Sequence, residues 1–181
     1  MTALLSSRSK VAAARYEGPS WERAALYLAA ALVAQVTFLH FITLRGGTIS
    51  AVLITVIWFA ILADARRAAI YGLAAGFCED MLAAGTGGAW TISTTITALL
   101  AGALSRAFFA DSIPIVTGIV VVSTLVRDLI FWIVMKAQGF PAGLGTLHFH
   151  QALWQALLNA IAVVLLMLVY RYRERRRGDA A

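Results

Sequence analysis

Long apolar runs separated by short polar breaks divide the chain between Ala24 and Tyr170. The first run, from Ala24 to Leu44, ends at Arg45-Gly46-Gly47. The second, Thr48 to Leu62, is shorter and closes at Ala63-Asp64-Ala65-Arg66-Arg67. A third extends from Ala68 to Ala84 and stops at the glycine turn Gly85-Thr86-Gly87-Gly88. The fourth covers Trp90 to Phe109, and the break Ala110-Asp111-Ser112 with Pro114 opens a fifth that continues to Lys136. Gln151 to Tyr170 makes the sixth. Glycine, proline and clustered charge punctuate helices in this way because none of them continues an apolar helix at low cost. Six spans of about 20 residues joined by loops of about five fill the whole stretch. The segment Gln138 to His150 carries three glycines and a proline and reads as a loop, in part re-entrant.

Composition turns these runs into a statement about solvent. Apolar residues make up 61% of the 181 and charged residues 13%, with a mean hydropathy of +0.81. Soluble domains hold about 25% charged residues, and a chain this short cannot hide so much apolar surface in one core. The expected fold class is therefore an all-α integral membrane protein with six transmembrane helices. Disorder is excluded by the hydrophobicity, and a disulfide scaffold by the single cysteine, Cys78. Three regions follow: a basic arm over residues 1–23, the six-helix domain over 24–170, and a basic tail over 171–181.

The net charge of +6 is informative by position. Arg8, Lys10, Arg15 and Arg23 precede the first run; Arg171, Arg173, Arg175, Arg176 and Arg177 follow the last. With the N-terminus inside, the cytoplasmic side collects twelve Lys and Arg, adding Arg66, Arg67 and Arg106, while the outer side collects only Arg45 and Lys136. That asymmetry places both termini in the cytoplasm and the basic termini against anionic lipid. Nucleic acid is not an expected partner, because the basic runs lack interleaved aromatics.

Charges inside lipid are costly and so require a partner or a role. At 1.5 Å per residue, Asp80 lies about 18 Å along the third span and Arg127 about 21 Å along the fifth. Both fall in the outer half of the bilayer, with Gln35, His40, Thr91, Ser93, Thr94, Thr95, Thr97, Gln155 and Asn159. Glu79, Asp80 and Asp128 against the single Arg127 leave negative charge in excess. One reading is a structural ion pair between Asp80 and Arg127, with Glu79 and Asp128 facing the outer interface. A second is a polar cavity open to the outside. A third, a proton or ion path, is disfavoured by the plain inner half.

Ala68, Gly72, Gly76, Asp80 and Ala84 recur every four residues, forming one stripe of small side chains with a carboxylate set into it. Such a stripe admits close approach of another helix, either from the same bundle or from a partner protein. Catalytic constellations are thin. His148-Phe149-His150 would point two imidazoles the same way on a strand, but no third metal ligand is near; Cys78 has no histidine beside it. No cofactor and no enzymatic activity are expected.

The segment Ala63 to Arg106 resembles the rod shape-determining protein MreD family, in which a helix with the pattern G-x-x-x-D-x-L leads through a glycine turn into a leucine-rich helix. The match rests on Gly76, Asp80, Leu82, Gly87 and Gly102. The resemblance implies a non-enzymatic, multi-pass inner-membrane subunit of the bacterial cell-elongation (rod) complex, maintaining cell shape by organising lateral peptidoglycan synthesis. The implied partners are MreC, through its membrane helix, and indirectly MreB and RodA with its penicillin-binding transpeptidase. The partner-binding or structural polar site would comprise Gly72, Gly76, Glu79, Asp80, Arg127 and Asp128. The family is also similar in fold to the substrate-binding subunits of energy-coupling-factor vitamin transporters, which leaves such a subunit as the alternative function.

Overall fold

A computed structural model describes residues 18–108 and 112–178. Arg8, Lys10 and Arg15 of the basic arm, Ala110 and Asp111 of the fourth break, and the last three residues of the tail lie outside the described residues. Six α-helices follow one another: α1 (Trp21–Thr37), α2 (Ala51–Leu62), α3 (Ala65–Ala83), α4 (Ala89–Phe108), α5 (Ile113–Ala137) and α6 (Gly145–Gly178). Among the described residues the other regular elements are a two-stranded hairpin, β1 (Thr43–Leu44) and β2 (Gly47–Thr48), and two short 3-10 turns.

Helix starts follow local chemistry. Ser50 caps α2 by accepting from the Leu53 N–H at 3.3 Å, and Asp64 caps α3 by accepting from the Arg67 N–H at 2.8 Å. Pro114 sits in the first turn of α5, where a missing N–H costs nothing. The third, fourth and fifth apolar runs become α3, α4 and α5 with ends within about three residues of those expected.

The first and last runs differ from expectation. The first helix ends at Thr37, not Leu44, because the chain then makes a 3-10 turn (Leu39–Phe41) and a tight hairpin. Arg45 (φ 49°) and Gly46 (φ 87°) form the two-residue connection between Thr43↔Thr48 and Leu44↔Gly47, and positive φ at both central positions is what matches the twist of paired strands. At the other end, residues 145–150 are helix and not loop: α6 begins at Gly145 after a 3-10 turn (Ala142–Leu144) and continues through the basic tail.

α2 is the centre. It is only 12 residues long, about 18 Å at the helical rise, and apolar almost all round, which suits a helix with neighbours on most sides, only Trp58 and Leu62 being exposed. Val52, Val56 and Phe59 join α1, Tyr71 and Ala75 in one cluster. Leu53, Ile57 and Ala60 face Ala68, Ala101, Ile119, Val120 and Val163 in the other. α1 lies at the margin and meets the bundle chiefly through α2. At that end the Tyr71 hydroxyl donates to the Ala24 carbonyl at 2.9 Å, and Arg67 donates to the Pro19 carbonyl at 2.6 Å while lying over the Trp21 ring.

Polarity is distributed inside out relative to a water-soluble fold. Large apolar side chains such as Leu26, Leu73, Phe77, Ile96, Leu129 and Leu165 are exposed, whereas Glu79, Thr94, Thr97, Ser123, Arg127, Asp128 and Asn159 are buried. Two helices, α5 and the Gly145–Arg173 portion of α6, are long and apolar enough to cross a membrane.

Candidate functional site

Most of the buried polar side chains converge at the end of the bundle where α2 begins. Arg127, on α5 and 2% exposed, is the hub. Its Nη2 donates to Glu79 Oε1 on α3 at 2.7 Å, the ion pair of this site. Nη1 donates to Ser50 Oγ at 3.0 Å, and the guanidinium lies 4.3 Å from the centroid of the Trp90 ring. The other Glu79 oxygen accepts from Thr94 Oγ1 on α4 at 3.2 Å.

From Ser50 the network continues through backbone. The Ser50 N–H donates to Asn159 Oδ1 on α6 at 2.8 Å, and the Val52 N–H donates to Gln35 Oε1 on α1 at 3.2 Å. The first N–H groups of α2 would otherwise be orphaned in the interior, and side chains from two other helices satisfy them. The Asn159 amide then donates to Thr124 Oγ1 on α5 at 3.1 Å. Gln35, Ser50, Glu79, Thr94, Arg127 and Asn159 thus give one residue from each helix or its cap, joined by hydrogen bonds at one level.

The expected pairing of Asp80 with Arg127 is corrected: Glu79 holds that position. Asp80 instead accepts from the N–H groups of Trp90 (3.1 Å) and Thr91 (2.8 Å), from Thr91 Oγ1 (2.5 Å) and from Thr86 Oγ1 (2.5 Å). It closes the glycine turn and satisfies the start of α4, where a carboxylate also suits the positive end of the helix dipole. The reason is angular: successive helix residues point about 100° apart, so although both reach α4, only Glu79 is turned far enough to meet Arg127 on α5.

The small-residue stripe is covered by this chain. A Cβ on Gly72 would lie 2.7 Å from Ala98 Cβ, and one on Gly76 would lie 2.6 Å from the Trp90 carbonyl and 2.7 Å from Thr91 Cα. α4 therefore runs antiparallel along Gly72, Gly76 and Asp80, and these glycines offer no open groove to a partner helix. Gly102 on α4 approaches the Ala60 carbonyl of α2 in the same manner, at 3.1 Å from its would-be Cβ.

Asp128 is buried but outside the network, and its Oδ2 has no hydrogen-bond partner. His40 is exposed and Gln155 half-buried, so neither enters the cluster to which the sequence assigned them. Thr95 bonds to the Thr91 carbonyl of its own helix. His148 and His150 lie on a helix and diverge: His148 stacks on Phe131, and His150 faces Trp154. Among the described residues no group of three His, Cys, Asp or Glu could hold a metal ion. Ser50 and Thr124 were not among the expected polar cluster, although a serine directly before an apolar helix signals a cap.

Within the network one guanidinium is matched to one carboxylate and both are hydrogen-bonded further, which favours keeping the pair charged in a low-dielectric interior, while Arg127 Nε and the adjacent Asp128 Oδ2 are left without partners. No protein-family model, curated protein or solved structure matches the chain.

Proposed function

We propose that the protein is a non-enzymatic, multi-pass inner-membrane subunit of the MreD type in the bacterial cell-elongation complex. In this reading all six helices lie in the bilayer, both termini are cytoplasmic, and the polar network sits in the outer half. The observation that carries it is the unit of α3, glycine turn and α4. Gly76, Asp80, Gly87 and Gly102, four of the positions on which the resemblance rests, each do a specific structural job there. The exposed apolar perimeter and the two helices long enough to cross a membrane support the lipid setting. Arg67 near Trp21 at one end, and Lys136 over Trp132 at the other, suit interfacial anchoring.

A scaffold is preferred to a transport subunit because the centre of the bundle at the level of the polar groups is filled by Arg127 and its partners. The cavities lie off that centre, one of about 350 Å³ beside Gln35, His40 and Thr48 and one of about 500 Å³ on the flank between α5 and α6. With the stripe taken by α4, the MreC helix has to meet the perimeter. Depletion of the protein in its source bacterium tests the proposal: rounded or swollen cells are the expected result. Normal shape with a newly acquired vitamin requirement would overturn it in favour of an energy-coupling-factor substrate-binding subunit.

A further inference from the structure

Asp128 is the buried carboxylate that the network leaves over. It is 3% exposed, and the ion pair among the described residues commits Arg127 to Glu79. The neighbouring His148 meets the Asp128 main-chain carbonyl at 3.2 Å and has no ion pair with its carboxylate. Arg127 and His148 lie near it, but its buried Oδ2 has no hydrogen-bond partner, and a carboxylate so placed favours a proton or a cation at that oxygen.

Asp128 also lines a cavity of about 500 Å³ between α5 and the first turns of α6, walled by Leu125, Leu129, Trp132 and Phe149. The wall chemistry selects the kind of cation. A hard metal ion wants six or more oxygens, and this cavity offers one carboxylate and the Thr146 hydroxyl, with the His148 ring, among otherwise aromatic and aliphatic side chains. An organic ammonium is different: it is held by one carboxylate and by an aromatic face, while its apolar body fills the remaining space. The volume suits a small molecule or a headgroup and is too small for a helix.

We infer that this flank cavity binds the ammonium group of an amine-bearing amphiphile, with the charge on Asp128 and the apolar portion against Leu125 and Leu129. The amine has two sources, an ethanolamine-type lipid headgroup or a free organic amine. The lipid source rests on the membrane-spanning reading, and the free-amine source does not.

The test uses the full purified chain. Native mass spectrometry compares retention of phosphatidylethanolamine, its N-acetylated form and phosphatidylglycerol, and calorimetry compares benzyltrimethylammonium with its uncharged isostere neopentylbenzene. The expected result is a preference of about fivefold or more for the free-amine lipid over its acetylated form, falling to parity in Asp128→Asn. Saturable binding of benzyltrimethylammonium but not of neopentylbenzene, without a lipid preference, also supports the site and assigns it to free amines. Equal retention of the acetylated and free-amine lipids together with no preference for the charged probe would overturn the inference. Both contrasts are made on the native chain, so poor folding of the Asp128→Asn variant leaves the test decisive.

Discussion

Arg127→Met will lower the stability of the detergent-solubilised protein by about 3–5 kcal/mol, a hundredfold or more in the folding equilibrium. The substitution keeps much of the side-chain volume and removes the charge. Glu79, 6% exposed, then retains a carboxylate with only Thr94 beside it. Ser50 loses its guanidinium partner, and the Trp90 face loses its cation. The cost is chiefly that of stranding a buried charge, and this gives the prediction its second half. Removing both partners in Glu79→Met/Arg127→Met returns most of the stability, because well-packed apolar residues can replace a buried pair at little cost. Thermal melts in detergent read both variants. A single variant that melts with the parent, or a double variant no better than the single, would contradict the role given to the pair.

Gly76→Leu will abolish the folded, monodisperse protein. The atoms a Cβ would meet are backbone atoms of Trp90 and Thr91, which cannot swing aside as a side chain would. α3 and α4 therefore separate, and Asp80, one turn further on, loses its hold on the Trp90 and Thr91 N–H groups. Overpacking alone costs on the order of 1–3 kcal/mol, and the lost cap adds about 1 more. Gly118→Leu on α5 is the control, since nothing lies within 4 Å of its would-be Cβ and the helix gains propensity. Size-exclusion profiles should show Gly118→Leu unchanged and Gly76→Leu aggregated or absent. A monodisperse Gly76→Leu that has lost only a bound partner would show that the stripe faces outward.

Much of this arrangement is legible in the sequence, for definite reasons. Counting residues along each run places Gln35, Thr94, Arg127 and Asn159, though not Ser50 or Thr124, in one half of the bundle, because helical rise converts sequence offset into depth. The glycine turn announced itself by composition, and three of its glycines adopt positive φ. The partner of Arg127 was harder. Depth alone does not separate Glu79 from Asp80, and the deciding information is which face α4 covers. The four-residue stripe held that information, since Asp80 shares its face with Gly72 and Gly76 and must meet whichever helix lies on them.

Two further differences have local causes. Apolar content continues from α1 into the hairpin, so the run hides the point where Arg45 and Gly46 reverse the chain. Glycine and proline before His148 suggest a loop, yet they shape only the 3-10 turn, and Ala152, Ala156 and Asn159 keep one buried face along α6.

The central claim, that the bundle lies in a bilayer with its polar network in the outer half, is tested most directly by cysteine labelling in intact cells. In a Cys78→Ala background, Gln138→Cys and Arg66→Cys place single exposed thiols at opposite ends of the bundle. Gln138→Cys should react with a membrane-impermeant maleimide added outside, and Arg66→Cys should react only after lysis. Labelling of Arg66→Cys from outside, or protection of Gln138→Cys until lysis, would contradict the orientation and with it the proposed role.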